Sequence, residues 1–157
     1  MADVSIFTSS KSNEWETPQD LFDKLNAVYH FTLDPASTDE NHKCDKYYTK
    51  ESDGLSKDWR GEVVFCNPPY GKEIGVWVKK CYDESRRGVK IVLLVPSRTD
   101  TRWFHEYLYN RDGDGIRIEF LRGRLHFTNR TFPSWRPDGN FKASPATFPS
   151  MLVYFNL

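Results

Sequence analysis

A chain of 157 residues, 38% hydrophobic and 15% aromatic, is long enough for one domain with a real core and too apolar to be disordered. It has no apolar run of about 18 residues and no charged-then-apolar leader at Met1–Ser5, so the sequence reads as a cytoplasmic protein without a membrane span. Charge balances at zero but unevenly: residues 1–84 carry 10 Lys+Arg against 16 Asp+Glu, and residues 85–157 carry 12 against 6. Such polarity makes a basic side available to phosphates, or a set of salt bridges between the two halves. Cys44, Cys66 and Cys81 are odd in number and lack CxxC spacing, which excludes a disulfide framework and a zinc ribbon.

Residues 1–13 are polar and rich in Ser and Lys, as in a loose arm. Trp15-Glu16-Thr17-Pro18 leads into Leu21, Phe22, Leu25, Val28 and Tyr29, whose spacing predicts a helix with one buried face. Thr17 fits as its cap and Pro18 as its first residue. Phe31-Thr32-Leu33 predicts a short strand running into Asp34-Pro35-Ala36. A carboxylate there sits at the carboxyl edge of a parallel sheet, where α/β folds bind ligands. Residues 38–57 are polar and irregular, with Tyr47-Tyr48-Thr49 strand-like, and close on Asp53-Gly54-Leu55 and Trp59.

Val63-Val64-Phe65-Cys66 then reads as a buried strand that stops at Asn67-Pro68-Pro69-Tyr70-Gly71, because proline has no N–H to continue a ladder. Ile74, Trp77, Val78, Cys81 and Tyr82 predict a second helix ending near Gly88. Lys90 to Pro96 is a continuous apolar strand suited to a sheet covered on both faces. Thr99 or Asp100 can cap a third helix with Trp103, Phe104, Tyr107 and Leu108 inside. Residues 116–121 alternate as a strand, and Met151 to Phe155 form the last one. Between them, residues 128–150 show no periodicity and hold four of the nine prolines, the mark of a functional or disordered loop. The order predicts a single α/β domain over residues 1–157: a Rossmann-like, mainly parallel twisted sheet, helices on both faces, and antiparallel pairing at the C-terminus.

The loop after Cys66 carries the chemistry. Asn67 offers an amide oxygen, Pro68 a backbone carbonyl, and Tyr70 a flat aromatic face. Two converging acceptors are what an exocyclic amino group needs if both of its N–H bonds are to be held, and the ring can stack on the base or amide bearing it.

In identity and order, six segments resemble the phage-type DNA N6-adenine methyltransferases, class I S-adenosylmethionine-dependent enzymes with an Asn-Pro-Pro-Tyr motif. They are Trp15 to Pro18, Leu33 to Ala36, Asp53 to Leu55, Asn67 to Tyr70, Val95 to Phe104, and Gly123 to Phe127, and the resemblance spans residues 14–155. It implies Asn67, Pro68, Pro69 and Tyr70 as catalytic residues. It implies Trp15, Thr17, Pro18, Asp34, Pro35 and Ala36 on the methionine side of S-adenosylmethionine, Asp53 and Leu55 at its adenine, and Asn67 at both substrates. DNA with a flipped-out adenine is the implied partner, stacked on Tyr70 and Phe127, with Arg98, Arg122, Arg124, Arg130 and Arg136 toward phosphates. Trp135, Asn140 and Lys142 join Arg130 and Arg136 in the 128–150 loop as candidate readers of DNA sequence. No metal is required, and protection of DNA against restriction is the biological role the resemblance suggests. One departure stands out. The Gly-rich loop of most class I methyltransferases is replaced by Ser37-Thr38-Asp39, so the cofactor's cradle must be built differently. Asn-Pro-Pro-Tyr also resembles the sites of RNA-base and protein-glutamine methyltransferases, and a catalytically idle DNA-binding module of the same fold is a further reading.

Overall fold

A computed structural model describes residues 15–127 and 146–157. The N-terminal arm and most of the proposed recognition loop, including Arg130, Trp135, Arg136, Asn140 and Lys142, lie outside the described residues.

Six strands form one sheet: β1 (Leu33–Asp34), β2 (Lys46–Tyr47), β3 (Val63–Cys66), β4 (Lys90–Pro96), β5 (Ile116–Phe120) and β6 (Ser150–Phe155). They lie in the order β2-β1-β3-β4-β6-β5. Pairings among β1 to β4 are parallel, and β6 is antiparallel to both of its neighbours, β4 and β5. Five strands therefore share one direction and β6 alone opposes them. The fold is a mixed α/β, Rossmann-like sheet.

Helices cover both faces, and the pleat of β3 shows why. Phe65 meets Phe22 of helix α1 (Gln19–Tyr29), with ring centroids 5.2 Å apart, while the next residue, Cys66, lies beside Cys81 of helix α2 (Ile74–Arg86). Successive residues of a strand point to opposite faces, so α1 and α2 sit on opposite sides. Every residue of β4 after Lys90 is buried, which is why its sequence is apolar without alternation.

Three local expectations need correction. Val28 is 66% exposed, because the buried stripe of α1 is Phe22 and Leu25 with Tyr29 beside them, and Val28 falls off it at 100° per residue. Pro18, not Thr17, is the cap residue of α1, and no side chain caps the helix; the carbonyl of Pro18 accepts its first bond, from Phe22 N–H. After β4, Thr101 rather than Thr99 or Asp100 caps the next turn, accepting from Phe104 N–H at 3.3 Å. That turn runs into a short wide helix, Phe104–Leu108, closed by a bond from Tyr109 N–H to the Phe104 carbonyl.

Among the described residues no helix is long and apolar enough to cross a membrane. Strand direction brings the ends of β1, β3, β4 and β5 and the start of β6 to one edge. Asp34, Asn67 to Tyr70, Ser97-Arg98, the stretch after Phe120, and Phe148-Pro149 all emerge there.

Candidate active site at the carboxyl edge of the sheet

Asn67 follows β3 directly, and its amide nitrogen is fully engaged. It donates to the Trp15 carbonyl and, at 3.0 Å, to the Thr17 hydroxyl. A main-chain carbonyl can only accept, so this partner fixes which way round the amide lies. Its oxygen is buried and has no hydrogen-bond partner among the described residues. Among the described residues the Pro68 carbonyl accepts no hydrogen bond either. Buried acceptors are seldom left unpaired, since each costs about 1–3 kcal/mol to desolvate. The Asn67 oxygen marks a place suited to a donor, and the Pro68 carbonyl is the next acceptor along the chain. Gly71 ends the motif at φ 134°, a conformation that favours glycine, and its carbonyl receives the N–H of Ile74 at the start of α2.

The Tyr70 ring is held by a bond from its hydroxyl to the Leu94 carbonyl at 3.1 Å, and burial pushes the phenol pKa well up. It is 2% exposed and Phe127 3%. The two rings meet edge to face, 6.2 Å apart at 85°, so they do not form a parallel slot. Phe148 contacts both, at 5.6 Å from Tyr70 and 5.8 Å from Phe127, and Trp15 lies 5.5 Å from Phe148 and 5.9 Å from Phe127. Phe148 lies on no periodic segment, so no local pattern points to it.

Asp34 ends β1 buried, 4% exposed, and among the described residues forms no ion pair. Its oxygens accept from the backbone N–H of Lys43 at 2.9 Å and of Ala36 at 3.4 Å. Burial raises its pKa from 3.8 to about 6, against the pull of those N–H groups and of the Lys43 and His42 charges.

Where no Gly-rich loop follows β1, Gly54 instead makes a close approach to Pro35. A Cβ built on Gly54 would fall 2.1 Å from the Pro35 carbonyl oxygen, so only glycine lets the two loops touch. Asp34-Pro35-Ala36 and Asp53-Gly54-Leu55 are thereby joined face to face. The Gly54 carbonyl receives Trp59 Nε1–H at 3.0 Å, and Trp59 N–H is received by the buried Glu84 of α2 at 3.0 Å. Asp53 is exposed, with φ 58°, and Leu55 is half-buried, so both remain available to a ligand.

The arginines separate into two groups. Arg86 pairs with Asp114, Arg87 with Glu84, Arg102 with Glu106 and Arg111 with Asp114, while Arg117 lies over the Tyr154 ring. Arg98, Arg122 and Arg124 are exposed and make no ion pair among the described residues. All three follow β4 or β5 at the edge that carries Asn67, and the charge of Arg98 reaches Tyr70 strongly enough to oppose the rise in its pKa.

Comparison with known proteins bears on this edge. The family model described as "DNA N-6-adenine-methyltransferase (Dam)" matches residues 5–153. The chain belongs to this family. Two curated members carry the name DNA N-6-adenine-methyltransferase. One, from Escherichia phage T1, is 33% identical over 98 residues, covering 61% of this chain and 41% of its own. The other, from Haemophilus phage HP1, is 23% identical over 148 residues, covering 93% of this chain and 80% of its own. This chain thus spans less than half of the phage T1 member and most of the phage HP1 member. Among solved structures, a precorrin-8w decarboxylase of Methanobacterium thermoautotrophicum superposes with a TM-score of 0.49 at 12% identity, over 93% of this chain and 94% of that one.

Within the family frame the site brings together most of the residues singled out in the sequence. Asn67, Pro68, Tyr70, Trp15, Thr17 and Phe127 form one contiguous cluster. Asp34, Pro35, Ala36, Asp53 and Leu55 form a second at the same edge. Thr17 and Trp15 are tied to Asn67, a link that local sequence cannot reveal across 50 residues.

Proposed function

We propose that this protein transfers a methyl group from S-adenosylmethionine to the N6 amino group of adenine in DNA. The observation that carries the reading is the Asn67 amide, whose nitrogen is anchored by the protein and whose buried oxygen is unpaired among the described residues.

Adenine's amino nitrogen is a poor nucleophile because its lone pair is delocalised into the ring. Asn67 Oδ1 and the Pro68 carbonyl accept its two N–H bonds, favour a pyramidal nitrogen and so free the lone pair. As the new N–C bond forms, positive charge grows on nitrogen, and the same two oxygens stabilise it. One of its protons then leaves to water. Fixed acceptors of this kind each contribute about 10²–10³ in rate, with positioning supplying much of the rest. Tyr70 provides a ring edge and face for a base that has left the duplex stack.

The cofactor side fits the residues present. A buried carboxylate without an ion pair is suited to a cationic ammonium, which assigns Asp34, with Pro35 and Ala36, to the methionine end of S-adenosylmethionine. Asp53 and Leu55 suit its adenine, the carboxylate accepting from the amino group and the leucine packing on the ring. When bound, S-adenosylmethionine supplies an electrophilic sulfonium methyl and departs as S-adenosylhomocysteine. Trp15 and Thr17 act first on Asn67, and Pro18 shapes the same wall. Arg98 and Arg124, with Arg122, take DNA phosphates, and Arg130 and Arg136 are assigned the same role from sequence alone.

The test incubates unmethylated plasmid DNA and S-adenosylmethionine with the wild type and with Asn67→Ala, and reads digested nucleosides by mass spectrometry. N6-methyldeoxyadenosine from the wild type, at a rate about 10²–10³ lower in the variant, is expected. Methylation found only in RNA or on glutamine would reassign the substrate, and failure to bind S-adenosylmethionine would leave a DNA-binding module without catalysis.

A further inference from the structure

The rings that should receive a flipped base are already covered. Tyr70 and Phe127 are almost wholly buried in the absence of any base. Each packs against Phe148, and Phe148 packs against Trp15, so among the described residues four rings close into one cluster over the Asn67 loop. A base cannot stack on Tyr70 until one ring leaves.

Phe148 is the ring free to do so. Tyr70 is pinned by its hydroxyl to Leu94, and the main chain of Trp15 is bound to the Asn67 amide. Phe127 is almost as deeply buried as Tyr70, and two residues before it the Leu125 carbonyl receives Ala146 N–H at 2.8 Å. Phe148 is only half-buried, and among the described residues it makes no main-chain hydrogen bond. Its flanks are anchored while it is not: Ala146 bonds Leu125, and the Pro149 carbonyl receives Ser97 N–H at 2.9 Å. A rotation of this one side chain takes the Phe148 ring away from Tyr70 and Phe127 without moving β6.

We propose that Phe148 occupies the seat of the target base in the DNA-free protein and is displaced by the incoming adenine, so that it sets how tightly a flipped base is held. The inference rests on the assignment of Asn67 and Tyr70 as the base site. Phe148 keeps the aromatic wall dry until DNA arrives, and DNA binding is weakened by the fraction of molecules in which the seat is filled. Removing the ring should therefore improve capture of the base, the opposite of what loss of a stacking partner or of core packing would do.

Steady-state methylation of unmethylated plasmid DNA by the wild type, Phe148→Ala, Phe148→Leu and Phe148→Trp tests this. Phe148→Ala is expected to lower KM for DNA by roughly three- to tenfold, the worth of part of one buried aromatic ring. Its kcat should change little and its KM for S-adenosylmethionine not at all. Phe148→Leu should lower KM for DNA less, and Phe148→Trp, a bulkier occupant, should raise it. The latter two keep the comparison decisive if the alanine variant folds poorly. A rise or no change in KM for DNA on truncation, with the wild type active, overturns this proposal alone. A wild type that forms no N6-methyladenine overturns the functional assignment, and this proposal with it.

Discussion

At Asn67 the direction of a single amide decides what the site can do, and Thr17 helps to set that direction. Replacing Thr17 with Val removes the 3.0 Å bond while keeping the side chain's shape, leaving the Trp15 carbonyl as the amide's one remaining partner. A net hydrogen bond contributes about 0.5–1.5 kcal/mol, so kcat should fall by roughly three- to tenfold. KM for DNA should move less, and Thr17→Ser, which restores the hydroxyl, should recover most of the rate. A Thr17→Val enzyme with wild-type kcat would remove Thr17 from this role. The residue also shows how a strong local signal can mislead. Thr-Pro before an amphipathic stripe is a sound capping pattern, but the hydroxyl's partner is 50 residues away, where no local rule can see it.

Asp34 carries a pH dependence with a definite sign. Its folded pKa, about 6, lies above the ordinary 3.8 because burial disfavours the anion. The stability it contributes is therefore full below about pH 3.8 and is lost as pH rises through about 6, costing on the order of 3 kcal/mol at neutral pH. A bound cation pairs with the anion, so S-adenosylmethionine should bind more tightly as pH rises through about 6. Calorimetric titrations between about pH 5 and 7 would show this, with affinity falling by up to about tenfold per pH unit at the acid end. Asp34→Asn should flatten both the stability profile and the affinity profile over that window. Affinity that stays constant across it in the wild type would move the ammonium away from Asp34.

The two loops proposed for the cofactor side are each visible in the sequence, but their contact is not. Pattern rules read along the chain, and the meeting of Gly54 with Pro35 is a matter of backbone distance between separate segments. The same limit explains which elements were legible. β4 was expected and is found from Lys90 to Pro96, because a run buried on both faces announces itself in composition. β2 is found at Lys46–Tyr47 rather than at 47–49, since a two-residue strand on the sheet's edge has too few residues to show a period. Gly54→Ala tests the loop contact. Its Cβ would meet main-chain oxygen at 2.1 Å, so backbone must shift, at a cost of about 1–3 kcal/mol in stability. S-adenosylmethionine affinity should fall by roughly tenfold or more as the loops part. Gly113→Ala, where a Cβ meets nothing within 4 Å, should alter stability by no more than about 0.5 kcal/mol and leave affinity untouched. Chemical denaturation and calorimetry on the two variants would check both statements, and equal behaviour would discount the contact.

Over the whole molecule, the balanced net charge conceals a division of labour among arginines. The acidic and basic halves of the sequence do neutralise one another in part, through pairs such as Arg87–Asp58 and Arg87–Glu84. What remains unpaired among the described residues, Arg98, Arg122 and Arg124, is gathered at the carboxyl edge by the shared direction of β4 and β5. Composition suggested a basic face, but only the topology separates the arginines facing the site from those that staple α2 to its neighbours. Arginines that meet phosphate release counterions, and each contact steepens the salt dependence of DNA binding by about 0.9 in log–log slope. Replacing Arg98, Arg122 and Arg124 together by Gln should therefore reduce the slope by roughly 2–3 and weaken binding similarly for any duplex sequence. Changing the paired Arg86 and Arg87 to Gln should leave the slope as it was, with at most a modest loss of stability, since the Arg86–Asp114 pair lies near the surface and the buried Glu84 keeps Lys80 as a partner. Fluorescence anisotropy with a labelled random-sequence duplex, titrated between about 50 and 200 mM salt, separates the two sets. Equal slopes for both would place the phosphate contacts elsewhere on the protein.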